Sequence, residues 1–271
     1  MKAYIYDHTF EGLLSIVFDA YTRKIFPDML LSDDETPPLH ASHIHHVASS
    51  SSKADRVYRG LQQRLTRHGM NSLIYTWLSE EKGNDRLLFR FMRKVFDAQP
   101  ARNAANLPTP PAYGYGTIED DLTDPDIFAV NQTARNVSCE SHLMLGFARF
   151  SLTTENIYVA PLAPRYNVLP LMLGHFASRF GEQRWILYDI NRHYGYLHQN
   201  NQFTEVFFDS NRIANGRLDR TILAEGEDAL QAMWRTYFNA AVIRQRINPE
   251  LQRRCMPRRY WPCMTEKQTA I

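Results

Sequence analysis

The stretch RWILYDINRHYGYLHQNNQFTEVFF, residues 184–208, decides the fold class of this chain. It contains three runs rich in aromatic and β-branched residues: Arg184–Ile190, Tyr194–Gln199 and Phe203–Phe208. Short polar turns separate the runs, at 191–192 and at 200–201, and this pattern is typical of an antiparallel meander. Residues on the middle run alternate in character, which indicates one buried and one partly exposed face.

Two shorter runs of similar composition, Ala3–Tyr6 and Ile157–Ala160, are predicted to join the same small antiparallel sheet. Elsewhere, and above all in the first half of the chain, apolar residues recur with the 3.6-residue period of helices. The sequence therefore predicts an α+β fold with a helix-rich N-terminal half. Its helices are expected to pack mainly on one face of the sheet.

The helices suggest one domain over residues 1–271, because those of the first half need a sheet or partner helices to cover their apolar faces. Residues 53–98 form a predicted helical sub-lobe, and a long helix is expected from Thr123 to Phe150. Thr9 is expected to cap the first helix and Asn248 the last one. Flexible loops are predicted near 32–52 and 99–122, where proline, serine and glycine accumulate.

Bulk composition narrows the class of protein. The formal net charge is only +2, so an argument for nucleic-acid binding has to rest on local clusters of charge. Three widely spaced cysteines form no disulfide framework, the first residues lack the apolar core of a signal peptide, and no apolar run is long enough to span a membrane. We expect a soluble cytoplasmic protein without a membrane contact.

Familiar catalytic motifs are absent from the sequence. There is no phosphate-binding glycine loop, dinucleotide-binding fingerprint, zinc-protease helix, nucleophile elbow, paired CxxC or radical-SAM cysteine triplet. The zinc deaminase pattern is missing too. The sequence by itself reveals no reaction and implies no cofactor.

A cluster of histidines, His40, His43, His45 and His46, lies in the predicted loop near 32–52. Imidazoles at this density are suited to a divalent metal, but a loop without a rigid scaffold makes a poor ligand cage. We favour a polar loop and expect no metal there.

Glu140, His142 and Arg149 lie on the predicted long helix. Glu140 and His142 are two residues apart and do not share a helix face, whereas His142 and Arg149 are seven apart and do. The alternatives are a catalytic histidine beside an anion-binding arginine, or a hydrogen-bonded histidine near the core with a surface arginine.

A third group combines a helix and a turn. His175 and Arg179 are four apart on a predicted helix that Asn167 is suited to cap. Asp189 follows at the end of a strand and Arg192 lies in the next turn, where sites are often built. We expect these side chains to lie together, either as a pocket for an anion or nucleobase or as a capping and turn network.

The C-terminal run has the clearest nucleic-acid signature. This run contains six arginines and one acidic residue, Glu250, and it ends with Tyr260 and Trp261. The arginines are Arg244, Arg246, Arg253, Arg254, Arg258 and Arg259. Guanidinium groups match phosphate geometry and aromatic rings stack on bases, so phosphate contacts and base stacking are predicted here. The alternative is a solvated basic helix end.

Five ordered blocks resemble a known family. They are YIYDHTFEGLLSIVFDAYTRK, ESHLMLGFARF, APLAPRYNVLPLMLGHFASRF, WILYDINR and WRTYF with RINPELQRRCMPRRYWPCMTE. Together they are similar to an uncharacterised bacterial family assigned to DNA metabolism or DNA repair, whose members are encoded beside a radical-SAM protein. Related domains are fused to uracil-DNA-glycosylase-like domains. The resemblance covers the chain apart from the regions near 32–52 and 99–122.

The resemblance implies polar or aromatic site residues at positions already singled out by spacing. These are His142, Arg149, Asn167, His175, Arg179, Asp189, Arg192, Arg246, Arg258, Arg259, Tyr260 and Trp261. The histidine cluster lies outside the shared pattern, and glycosylase motifs are absent, so glycosylase activity is not transferred.

Three functional hypotheses follow. The first is an accessory protein of DNA repair or modification that binds nucleic acid or a damaged nucleotide and works with a radical-SAM partner. The second is an enzyme that acts on a nucleotide or DNA lesion through His142, His175 and Asp189. The third is a structural partner of the radical-SAM protein without DNA contact.

Overall fold

A computed structural model describes residues 1–98, 118–208 and 212–268. The chain divides into two compact units, Met1–Ser138 and Cys139–Ile271, which are described in turn. The expected organisation as one domain stays a prediction. The fold class is α+β, as the sequence predicted. None of the helices in the described ranges combines the length and apolarity needed to cross a bilayer.

The first unit contains a parallel sheet of three strands. They are β1 (Lys2–Tyr6), β2 (Met29–Ser32) and β3 (His43–His46), with β1 in the centre. Two sequence predictions are corrected here. The strand at Ala3–Tyr6 does not join the 184–208 meander, and the region predicted as a loop at 32–52 contains β3. Tyr4 and Tyr6 have no exposed surface, which explains why β1 is central.

Helices of the first unit cover this sheet and one another. They are α1 (Phe10–Arg23), α2 (Ser51–Gln62), α3 (Arg67–Leu78) and α4 (Asn84–Asp97). Thr9 caps α1 as predicted, because its side chain accepts a hydrogen bond from the backbone N–H of Gly12. A large core of leucine, valine and aromatic side chains lies among these helices and β1. Most of the predicted loop 99–122 lies outside the described residues.

Helix α5 (Pro125–Phe147) corresponds to the predicted long helix and begins in the first unit. After it, the second unit forms a five-stranded sheet in chain order: β4 (Ser151–Leu152), β5 (Tyr158–Leu162), β6 (Trp185–Asp189), β7 (Tyr194–Gln199) and β8 (Gln202–Val206). The meander β6-β7-β8 is antiparallel as predicted. The sheet is mixed, however, since β5 pairs with β6 in parallel.

The parallel pair follows from α6 (Leu169–Phe180), the crossover helix between β5 and β6. Phe176 on α6 contacts the ring of Trp185 on β6, with ring centroids 6.1 Å apart, so α6 covers this face of the sheet. On the other side, Ile186 and Tyr188 pack with side chains of a small hairpin that follows the sheet.

That hairpin consists of β9 (Ile213–Ala214) and β10 (Arg217–Leu218), joined by Asn215 and Gly216. Both turn residues have positive φ, 51° and 75°, which favours an Asn-Gly turn. A Cβ on Gly216 would lie 2.7 Å from the carbonyl carbon of Pro262, so only glycine allows the turn to approach this backbone.

The second unit ends in helical segments. They are α7 (Glu227–Ala240), a 3₁₀ turn (Arg244–Arg246), α8 (Pro249–Cys255) and a 3₁₀ segment (Arg258–Cys263). Asn248 caps α8 as predicted, since its side chain accepts from the N–H of Leu251. Tyr260, Cys263 and Met264 are buried, so the last residues close the core of this unit.

Candidate anion-binding cleft

Three of the buried carboxylates in the second unit each lie beside an arginine that the sequence singled out. The first, Glu140 on α5, is 4% exposed and accepts hydrogen bonds from the backbone N–H groups of Arg165 and Tyr166, at 2.9 and 2.7 Å. It also accepts from the hydroxyl of Tyr260. Arg259 donates to that hydroxyl at 2.7 Å and lies 3.9 Å from Glu140.

This arrangement places Tyr260 in the core, with 2% of its surface exposed. Burial raises the pKa of Tyr260, and the neighbouring Glu140 carboxylate raises it further, so the phenol stays protonated and donates to Glu140. A buried ring cannot stack on a base, and Tyr260 is therefore no longer a candidate for that role. Its position makes it a structural anchor of the C-terminal segment.

The second carboxylate, Asp189 at the end of β6, has no exposed surface. It accepts from the backbone N–H groups of Asn191 and Arg192 and from the Arg192 guanidinium at 2.8 Å. Burial raises the pKa of Asp189, and the hydrogen bonds from Arg192 only partly offset that effect. This geometry resembles the capping and turn network, one of the two alternatives that the sequence predicted.

The third carboxylate, Glu266, has a side chain that is 1% exposed. Arg149 donates to it through Nε at 3.1 Å and Nη2 at 2.6 Å, and Trp234 donates through Nε1 at 2.9 Å. Burial acts to raise the pKa of Glu266, but the hydrogen bonds from Arg149 and Trp234 outweigh it and lower the pKa. The bidentate pair fixes the orientation of the Arg149 guanidinium.

The predicted catalytic residues occupy different environments within the second unit. His142 lies at an exposed position of α5, and His175 and Arg179 lie at exposed positions of α6. Asp189 is fully buried and pairs with Arg192. The hypothesis that all these side chains share one pocket stays a prediction, and a carboxylate without exposed surface does not touch a ligand in this conformation.

A cleft of about 970 Å³ lies in the second unit, between the β9-β10 hairpin, one side of α7 and the C-terminal segment. Six cationic side chains and two carboxylates line it. The cations are Arg149, Arg217, Arg220, Arg235, Arg258 and Lys267, and the carboxylates are Asp219 and Asp228. Asp219 also accepts hydrogen bonds from Thr221, so part of its charge is directed at the chain. The cleft is therefore strongly cationic in a chain whose net charge is +2.

Trp261 organises two of these cations. The guanidinium carbon of Arg258 lies 5.6 Å from the indole centroid, and Nζ of Lys267 lies 5.1 Å from it. Both distances are typical of cation–π contacts. The indole N–H donates to the carbonyl of Met256 at 2.9 Å, which fixes the ring. Trp261 thus holds two positive charges at one wall of the cleft.

Sequence reasoning found Arg149, Arg258 and Trp261 but missed Arg217, Arg220, Arg235 and Lys267. The signal available for Arg217 was Asn215-Gly216, an Asn-Gly hairpin turn that directly precedes it. Arg220 follows the hairpin in a 3₁₀ turn, Arg220–Ile222. Among the remaining predicted arginines, Arg246 lies at an exposed position.

The histidine cluster belongs to the first unit. Nε2 of His45 lies 3.0 Å from Asp19, whose other oxygen accepts from Lys53 at 2.8 Å. His40 and His46 are exposed. Across the parts of the chain that the structure describes, no three His, Cys, Asp or Glu side chains are arranged to hold a metal ion.

The sequence profile of DUF4130, a domain of unknown function, matches residues 113–266, more than half of the chain. The chain belongs to the DUF4130 family. The match to DUF4130 includes Glu140, Asp189 and Glu266, and it extends over most of the cleft. This match confirms the prediction that the chain belongs to an uncharacterised family.

Other known proteins give little further help. Among curated proteins, none matches this chain. A solved structure of a pGpG-specific phosphodiesterase, PggH from Vibrio cholerae, is similar with a TM-score of 0.33 and 11% sequence identity. The alignment covers 89% of this chain and 100% of the phosphodiesterase chain. A likeness at this level supports no conclusion about fold or function.

Proposed function

We propose that the second unit binds the phosphates of single-stranded nucleic acid in the cationic cleft, and that the protein acts as an accessory factor in DNA repair or modification. The observation that carries the proposal is the local charge. Arg149 is neutralised by Glu266, and the other five lining cations face two carboxylates, whereas the whole chain has 31 basic and 29 acidic residues. A local excess of this kind attracts a polyanion even when the net charge is small.

The chemistry of the cleft fits phosphates. Five of its six cations are arginines, whose planar guanidinium groups form paired hydrogen bonds to phosphate oxygens. Its volume of about 970 Å³ is at the upper end of the range for small-molecule sites, so a nucleotide or a short stretch of one strand fits.

Glu266 contributes by positioning. Its carboxylate holds Arg149 and Trp234, and it is almost completely buried. Arg149 also donates to the backbone carbonyls of Gly146 and Ala148 through Nη1, so it shapes the wall of the cleft and leaves the phosphate contacts to the other lining cations.

The biological part of the proposal rests on the family resemblance. Proteins of that pattern are encoded beside a radical-SAM protein, and relatives are fused to uracil-DNA-glycosylase-like domains. We extend the proposal to a cytoplasmic complex in which the radical-SAM partner supplies the chemistry and this chain holds the nucleic acid. Co-purification of the two proteins tests this part independently of DNA binding.

Fluorescence anisotropy with a labelled oligothymidylate tests the cleft. Arg220 is exposed and Arg235 is partly exposed, so Arg220→Gln and Arg235→Gln remove charge without opening the core. Each lost charge-assisted phosphate contact is expected to weaken binding about tenfold, since such a bond contributes roughly 1.5 kcal/mol. Each is also expected to flatten the slope of log K against log salt by about 0.7.

Arg135→Gln is the matched control, because Arg135 is an exposed helical arginine outside the cleft lining. If all three variants bind like the original chain, the cleft is not the binding site. If the original chain has no affinity for the oligonucleotide at low salt, the structural-partner hypothesis replaces the present one. Conversion of the oligonucleotide during incubation, detected by mass spectrometry, would support the enzyme hypothesis.

A further inference from the structure

Helix α7 presents large apolar side chains to solvent on its outer face. The exposed fractions are 60% for Leu230, 67% for Met233, 39% for Trp234 and 63% for Tyr237. Their spacing of three and four residues places them on one face of the helix. Several large apolar side chains exposed side by side indicate a binding surface.

Two members of this face are aromatic and contact each other. The ring centroids of Trp234 and Tyr237 are 5.6 Å apart with planes tilted by 33°. Trp234 is held in place by its hydrogen bond to buried Glu266, whereas Tyr237 is more exposed. The pair therefore offers a partly fixed aromatic surface to solvent.

This aromatic surface is continuous with the cleft. The guanidinium carbon of Arg149, which lines the cleft, lies 5.4 Å from the centroid of the Trp234 ring. The same helix also supplies Gln231 and Arg235 to the cleft lining. A chain of direct contacts thus leads from the cleft, through Arg149 and Trp234, to Tyr237.

We propose that Trp234 and Tyr237 form a stacking surface for the unpaired bases of the strand whose phosphates lie in the cleft. The inference rests on the proposed function and assigns a binding surface to the bases of the single strand, which, unlike those of a duplex, are free to stack on protein side chains. Proteins that bind single strands combine a cationic groove for the backbone with exposed aromatic rings for the bases. Stacking of this kind tolerates any base, so little sequence preference is expected.

The charge of the neighbouring segment favours a nucleic acid over a second copy of this chain. Between residues 241 and 255 there is one acid, Glu250, against four arginines: Arg244, Arg246, Arg253 and Arg254. A two-fold symmetric contact that includes this segment would bring the arginines of both copies into one interface, which is unfavourable. A polyanion complements the same charges.

The test compares variants of the full chain on two probes: a labelled ~12-nucleotide oligothymidylate, and an abasic oligomer of equal length with the same backbone. Tyr237→Ala is expected to weaken binding to oligothymidylate about 5- to 150-fold, the range measured for loss of one stacked base. The salt slope stays unchanged, because no phosphate contact is removed. Tyr237→Phe keeps the ring and retains affinity, and the abasic oligomer does not distinguish the variants.

Met233→Ala is the matched control, since Met233 is equally exposed on the same face but has no ring. Equal loss of oligothymidylate binding with Met233→Ala and Tyr237→Ala would overturn the proposal, because a contact that needs no aromatic ring would then account for the affinity. An unchanged affinity of Tyr237→Ala, while Arg220→Gln weakens binding, would overturn the stacking surface and leave the cleft intact. No binding by the original chain would instead remove the proposed function itself.

Discussion

Removal of the Glu266 carboxylate tests most directly whether this group holds the wall of the cleft in place. Glu266→Ala leaves the Arg149 guanidinium and the Trp234 N–H without their shared acceptor. Removing one partner of a buried ion pair costs roughly 3–5 kcal/mol. The Arg149 side chain is 22% exposed and lines the cleft, so water partly replaces the lost carboxylate. We therefore expect a loss near the lower limit, about 3 kcal/mol.

Urea unfolding followed by tryptophan fluorescence measures this loss in the second unit, because three of the four tryptophans, Trp185, Trp234 and Trp261, lie there. Glu182→Ala is the control, since Glu182 is exposed after α6 and its removal should change the free energy of unfolding by less than about 0.5 kcal/mol. A loss below about 1 kcal/mol for Glu266→Ala would refute the view that this carboxylate holds the cleft wall together.

Three further outcomes are expected. The folded-state pKa of Glu266 lies below its ordinary value of 4.5, so the ionised carboxylate stabilises the fold above that pH, and this stabilisation is lost as the pH falls through the folded-state pKa. Glu266→Gln should therefore reduce the dependence of the free energy of unfolding on pH at acidic pH. An unchanged dependence would contradict this. Tyr260→Phe, which removes a donor to buried Glu140, should cost about 1.5 kcal/mol in urea unfolding, and a neutral effect would show that the hydrogen bond is unimportant. Gly216→Ala should destabilise the folded protein by about 1–3 kcal/mol, because φ is positive at this residue and the new Cβ would meet backbone atoms. Gly146→Ala, at a helical position with no atom near the new Cβ, should stabilise it by up to about 1 kcal/mol. Equal shifts in melting temperature for the two variants would contradict the turn geometry.

Local signals in the sequence predicted most elements of the fold, because local physics determines them. The meander at 184–208, the long helix from Pro125 and the caps at Thr9 and Asn248 all depend on neighbouring residues. Strand partnership depends on distant residues instead. Nothing in Ala3–Tyr6 specifies that its partners are β2 and β3, and the parallel pairing of β5 with β6 depends on α6 crossing the sheet.

The candidate site was only partly predictable for a similar reason. The sequence alone does not distinguish an arginine that faces solvent from one that pairs with a buried acid. Arg149 and Arg259 each lie beside a buried carboxylate that is distant in sequence, and no spacing rule reveals such a pair. The Asp189–Arg192 pair is local, and the sequence did predict that these two residues lie together. Conversely, Arg220 and Lys267 are far apart in sequence, and the folded second unit places both at the cleft.

Photo-crosslinking of the full chain to an oligonucleotide that carries 5-iodouracil, followed by mass spectrometry of the peptides, tests the central claim directly. The account predicts crosslinks in the α7 peptide that contains Trp234 and Tyr237 and in the cleft segments at 214–220 and 258–268. Arg220→Gln should reduce their yield, and Arg135→Gln should not. Crosslinks confined to residues 1–138, or a yield in the second unit that does not respond to Arg220→Gln, would contradict it.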